Sequence, residues 1–273
     1  MVHERVATPR TGLIRLAFWL VGGVLLASTV LPLLGLVTFQ SPAHVAEVGA
    51  MPEVWSAIAV SVAGALVAAA CAAVFGFPLA YVLAHSQFRG KRVVEAIVDL
   101  PLAVPHTVAG IALLFVYGRH GILGVPLANV FGLHFWGTFA GIVVAMLFVS
   151  APYAVNAARI GFSGVDPRLE KVARTLGVGP WAVLVRVTLP LAWPSLLTGV
   201  TLTFARAISE FGAVVILAYY PMTAPVRIYA LFLRFGVNQA AAMSVIVLAI
   251  VLALFLIFRY LPVWRGSRPE LLR

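Results

Sequence analysis

Charge is what this chain has least of. Asp, Glu, Lys and Arg make up 10% of its 273 residues, where a soluble domain carries roughly a quarter. Hydrophobic residues make up 62% and the mean hydropathy is +1.05, so a water-soluble globule is excluded and lipid is the expected solvent. The one cysteine, Cys71, excludes an internal disulfide and a cysteine-based metal site. No phosphate-binding GxxxxGK[ST] loop is present. The only Gly-Lys pair, Gly90-Lys91, has no upstream glycine at the required spacing, so the chain is not its own ATPase by that motif. His120 and His134 lie in a loop without metal-ligand spacing, and no metal site is expected. Repeats, low-complexity segments and a soluble domain are all missing.

What remains is a series of long apolar runs. They are continuous rather than alternating, and unpaired backbone groups are costly in hydrocarbon, so the runs read as helices and not as barrel strands. The expected fold is all-α and polytopic, with about six spans over residues 13–39, 54–84, 93–117, 137–158, 195–219 and 241–261. The first run is longer than a signal core and is followed by no small-x-small cleavage site, so it reads as a retained span.

Basic residues then set the topology. Arg5, Arg10 and Arg15 precede the first span. Arg89, Lys91 and Arg92 lie between the second and third. Arg159, Arg168, Lys171, Arg174 and Arg186 lie between the fourth and fifth, and Arg259, Arg265, Arg268 and Arg273 follow the sixth. Only Arg119, Arg227 and Arg234 fall on the other side, and Arg206 falls within a span. Both termini and the 166–190 loop are therefore expected in the cytoplasm. The net charge of +10 is topological and calls for no nucleic-acid partner.

The loop at 166–190, DPRLEKVARTLGVGPWAVLVRVTLP, is the longest polar interval. Asp166 is a helix N-cap with Pro167 at the first helical position. Leu169, Val172, Ala173 and Leu176 form an apolar stripe at helical spacing. Gly177 and Gly179 are expected to stop this helix in left-handed conformations. Pro180 starts a second short helix with Trp181, and Leu189-Pro190 closes the unit. With no nucleotide motif in the chain, this loop is either a docking knob for an ATPase subunit or an ordinary loop with two amphipathic helices.

Two further stretches could carry chemistry. Arg206 and Glu210, four residues apart with Ser209 between them, are expected to share one helix face of the fifth span. A charge at that depth costs several kcal/mol or more. The pair either locks helices together or lines a solute path. In the third span, Pro101 and Pro105 each remove a helix donor. A broken membrane helix tends to line a cavity, and His106 either faces that cavity or is satisfied by neighbouring backbone. At the outer end of the fifth span, Tyr219-Tyr220-Pro221 reads as a turn with belt tyrosines, on the side where a solute-binding partner would dock.

The 166–190 loop resembles the coupling loop of ABC importer permeases, whose pattern is Glu-Ala-Ala, three residues, Gly, nine residues, Ile, any residue, Leu-Pro. Here Gly177 is followed at that spacing by Val187, Thr188, Leu189 and Pro190. The front departs from the pattern: Lys171-Val172-Ala173 stand in the Glu-Ala-Ala positions, with Glu170 one residue early. Together with LPLAVPHTVAGIALL, LFVSAPYAVNAARIGF and FARAISEFGAVVILAYYPMTAPV, the loop is similar to the molybdate/tungstate subgroup, near sulfate permeases. The likeness covers about residues 55–260 of a single permease domain spanning 1–273, with the 13–39 span as an addition.

The resemblance implies a type I importer fold working by alternating access in the cell membrane. It implies a second copy of the chain, two cytoplasmic ATPase subunits that hold ATP and Mg, and an extracytoplasmic binding protein that delivers the oxyanion. No cofactor is implied on this chain. A sulfate or thiosulfate permease is the near alternative. An ion-coupled secondary transporter, which usually embeds several acidic groups, is an alternative of another class. A membrane-integral enzyme is a third, although His106 stands alone.

Overall fold

The computed structural model describes residues 9–260, so Arg5, Arg265, Arg268 and Arg273, and the last residue of the expected sixth span, lie outside them. All regular structure among the described residues is helical. In chain order the helices are α1 (Pro9–Thr38), α2 (Pro42–Gly49), α3 (Pro52–His85), α4 (Lys91–Ala103), α5 (His106–Tyr117), α6 (Gly124–Phe131), α7 (Phe139–Ser163), α8 (Pro167–Thr175), α9 (Pro180–Val183), α10 (Leu189–Ile208), α11 (Gly212–Leu217), α12 (Ala224–Phe235) and α13 (Val237–Tyr260). Five helical stretches are long and apolar enough to cross a membrane, and the bent pair α4–α5 makes a sixth if it is one span.

The core is α3 packed on α7 and α10. Its interface is built from small residues. Ala57, Ser61, Gly64, Ala65, Ala68, Ala69, Ala72, Gly76 and Ala80 of α3 are all buried. Lipid tails are as apolar as leucine, so helices gain little there from hiding large side chains, and close backbone approach with dense packing holds them together. On α7 and α10 larger residues such as Ile142, Met146, Phe162 and Leu196 fill the space opposite, while many other large apolar side chains point outward. None of the 18-residue apolar window of α1 is buried.

Two expected spans are not single helices. The third bends by 114° between α4 and α5. Val104 before Pro105 is extended, at φ −77° and ψ 128°, because the proline ring excludes the helical conformation for its predecessor. The fifth does not run to 219: α10 stops at Ile208, and α11 restarts at Gly212. Arg206 therefore sits in the last turn of a helix and not in the interior of one. The fourth span is longer than expected, reaching Ser163.

The 166–190 unit also differs at its end. Residues Leu184–Thr188 form a π-helical turn, and Leu189-Pro190 starts α10 rather than closing the loop. Pro180 to Ile208 is thus one apolar stretch of 29 residues. Pro190 falls in the first turn of α10, where a missing N–H is tolerated.

Candidate functional site

The first candidate region is the α8–α9 loop. Asp166 caps α8, its Oδ1 accepting from the Arg168 N–H at 2.9 Å. Gly177 ends it at φ +82°, a conformation that favours glycine. Gly179 is not left-handed. It lies at φ −65° and serves as the N-cap of α9. Leu169, Val172, Leu176 and Trp181 are exposed, Leu176 by 78% and Trp181 by 76%, while Ala173 is half-buried. Four large apolar side chains thus stand uncovered on one small polar loop.

Glu170 points the other way and is only 7% exposed. Its Oε1 accepts from the Thr188 hydroxyl at 2.6 Å and lies 3.4 Å from His85 Nε2. Thr188 ends the π turn and His85 ends α3. The Glu one residue ahead of the usual pattern therefore ties the loop to two core elements. His85 and Thr188 escaped sequence reasoning. Thr188 sits within the loop motif, eighteen positions from Glu170, and only folding brings the two together.

The second region is the break between α10 and α11. Glu210 is buried, at 1% exposure. Its Oε1 accepts from the Ala213 N–H at 2.8 Å, which caps the start of α11. Its Oε2 lies 2.8 Å from Arg206 Nη2 and 3.0 Å from His106 Nδ1. Arg206 Nη2 is 2.9 Å from both ring nitrogens of His106. A neutral ring with the proton on Nδ1 donates to Glu210 and accepts from Arg206 on Nε2, which satisfies all three groups. His106 is thus held by side chains and not by neighbouring backbone.

Gly212 makes this possible, because a Cβ there would lie 2.6 Å from His106 Cβ. Ser209, exposed beside the cluster, donates its hydroxyl to the Arg206 carbonyl at 3.0 Å. Pro105, also exposed, is the N-cap of α5. The His106 side chain stays 45% exposed. The cluster therefore buries the Glu210 carboxylate beneath Arg206 and leaves the imidazole partly exposed.

A third polar contact was not anticipated. Glu95 and Asp99 on α4 meet Arg159 and Asn156 on α7, at 2.8 Å for Glu95–Arg159 and 2.6 Å for Asn156 Nδ2 to Asp99 Oδ1. The sequence signal was available: acids four apart on one helix, partners three apart on another. Next to this clasp a cavity of about 420 Å³ is lined by Leu102, Tyr153, Asn156, Ser195 and Thr198 among others.

The comparisons agree with this architecture. Residues 76–262 match the family described as the binding-protein-dependent transport system inner membrane component. The chain is 45% identical to the molybdate/tungstate transport system permease protein of Thermococcus kodakarensis, over 77% of this chain and 79% of that protein. It is 41% identical to a probable molybdenum ABC transporter permease protein of Haloferax volcanii, over 92% and 90%. A probable sulfate transport system permease protein of Nephroselmis olivacea is 34% identical, over 94% and 92%. Among solved structures, a bacterial ABC transporter that imports the acidic polysaccharide alginate aligns with TM-score 0.69 at 18% identity, covering 94% of this chain and all of that one. The MetNI methionine ABC transporter, in an inward-facing conformation, aligns with TM-score 0.56 at 20% identity, over 76% and 89%. The exposed loop, the broken apolar helices and the matched length point the same way: this chain belongs to the inner-membrane permease family of binding-protein-dependent ABC transport systems.

Proposed function

We propose that the chain is the membrane subunit of an ATP-driven importer of molybdate or tungstate, forming the translocation path by alternating access. The observation that supports this most is the 45% identity to a molybdate/tungstate permease over 77% of the chain. Sulfate or thiosulfate is the second reading, favoured by the 34% identity to a sulfate permease over 94% of it. Family membership takes the place of the ion-coupled and enzymatic alternatives.

In this reading two copies of the chain pair in the cell membrane with both termini and the α8–α9 loop in the cytoplasm. Two ATPase subunits, which hold ATP and Mg, grip Leu169, Val172, Leu176 and Trp181. An extracytoplasmic protein delivers the oxyanion. Closure of the ATPase pair pushes α8. Glu170 passes the push to Thr188 and so to the π turn, an element often found at functional sites. From there α10 acts as a rod: Leu189 to Arg206 is roughly 26 Å at 1.5 Å per residue. The rod ends at the His106–Arg206–Glu210 cluster, which serves as the gate. A neutralised pair there suits a conduit, because conduction requires release as well as entry.

Uptake of labelled molybdate, tungstate and sulfate by vesicles carrying the complete complex tests this. ATP-dependent accumulation that prefers molybdate or tungstate is expected. Solute movement through bilayers containing this chain alone, driven by a proton or sodium gradient, would overturn it.

A further inference from the structure

The 34 residues of α3 reach about 51 Å at 1.5 Å per residue. The His85 end meets the α8–α9 loop, so the Pro52 end lies on the opposite face of the molecule. There α12 closes a cavity of about 560 Å³, lined among others by Glu53, Tyr219, Tyr220, Arg227, Arg234 and Gln239. Arg227 and Arg234 are seven residues apart on α12 and so share one side of it. The helix is fixed in place where the Ala224 N–H donates to the buried Ser61 hydroxyl of α3, at 2.7 Å.

Arg227 differs from the two arginines that meet carboxylates in the helix core. Arg159 and Arg206 each hold a carboxylate at 2.8 Å, whereas Arg227 is in no ion pair among the described residues. Its Nε is buried without a hydrogen-bond partner, as are Thr223 Oγ1 and Gln239 Oε1 close by in the chain. A buried guanidinium donor without an acceptor is unfavourable, and the group is shaped to take two oxygens of one anion. The cavity also offers the donors of Tyr219 and Tyr220 and a second guanidinium. Glu53 is the opposing charge, and it limits how tightly an anion is held.

We propose that this cavity is an entry subsite for a small tetrahedral oxyanion, bound by Arg227 with Arg234 and loosened by Glu53. The inference rests on the oxyanion-importer reading and adds a low-affinity station before the His106–Arg206–Glu210 cluster. A site that must pass its ion onward needs both the attraction and the opposing carboxylate.

The test is equilibrium dialysis of labelled tungstate against the purified permease–ATPase complex in lipid nanodiscs, without the binding protein. Saturable binding by the unaltered complex is expected. Arg227→Gln weakens it about tenfold, the size of one lost charge-assisted contact, and Arg227→Lys weakens it less. Glu53→Gln strengthens it about threefold, a change in the direction that misfolding does not produce.

Absence of tungstate binding, or binding that is the same in Arg227→Gln and Glu53→Gln complexes that retain their ATPase, overturns the subsite. So does an Arg227→Gln complex that binds tungstate normally but no longer captures the binding protein, which would make the guanidinium a docking group. Vesicle uptake separates the two levels. If the unaltered complex with its binding protein accumulates no molybdate, tungstate or sulfate, the oxyanion reading itself falls. If uptake is present and only the dialysis result is negative, the subsite alone falls.

Discussion

Glu170 and Glu210 are both buried, and both contact a histidine, yet they are held in different ways. Glu210 lies in a break between two apolar helices, where a bare carboxylate is costly. It is matched by a guanidinium, a ring nitrogen and a backbone N–H. Glu170 lies under a polar loop and has a hydroxyl at 2.6 Å and an imidazole at 3.4 Å. The first arrangement neutralises a charge that has nowhere else to go. The second joins α8, the π turn and the end of α3 by contacts of modest strength. A cluster that fixes a break and a latch that ties a loop to the core call for different chemistry, and the two sites differ in that respect.

The largest expected effect is at Glu210. Glu210→Ala leaves Arg206 without its counter-charge, and removing one member of a buried pair costs about 3–5 kcal/mol. Thermal unfolding of the detergent-solubilised chain should show this. The double variant Arg206→Ala/Glu210→Ala should recover part of the loss, since no unpaired charge remains. If the double variant is less stable than Glu210→Ala, the neutralisation account of the cluster is wrong.

Next comes the exposed apolar patch on the loop. Leu176→Asp with Trp181→Asp should abolish ATPase retention on purification, because truncating an anchor in an interface costs about 2 kcal/mol or more. Both side chains are exposed, so the unfolding temperature should hardly move. A drop in unfolding temperature with the ATPase still bound would assign the patch to the fold and not to a partner.

Glu170→Ala should cost about 1–3 kcal/mol, the range for a buried hydroxyl left unsatisfied. Its larger mark should be on coupling, with more ATP hydrolysed per solute taken up. If that ratio is unchanged while stability falls, Glu170 is structural only. Thr188→Val should cost a comparable amount, about 1–3 kcal/mol, because it leaves the buried Glu170 carboxylate without its hydroxyl donor, and it should move the coupling ratio in the same direction. A change in the opposite direction would dissociate the π turn from the latch.

Much of the loop could be read in advance. An Asp-Pro start, a stripe at helical spacing and Gly177 are local signals, and each acts within a few residues. The Arg206–Glu210 contact was also legible, since the two are four apart, although the helix was expected to continue through them. The end of α10 was not legible, because Ser209, Glu210 and Phe211 contain no proline or glycine. The break is fixed by the Glu210 carboxylate capping Ala213 and by Gly212 lying against His106. Residues 100 positions apart carry no local sign of their meeting. Gly179 was misread because an N-cap glycine and a C-cap glycine look alike until the helices on either side are placed.

By itself the sequence determined the solvent, the class and the lack of a phosphate-loop motif. A chain with so few charges spans lipid as helices, and one without a phosphate loop carries no nucleotide site of that kind. Those conclusions follow from composition and short spacings, which do not depend on how the helices pack. Only the tertiary structure decided which way Glu170 points, what His106 holds, and that the Nε of Arg227 is buried without a partner among the described residues. Each depends on how separate helices come together, and in lipid that is set by how closely small residues let the backbones approach.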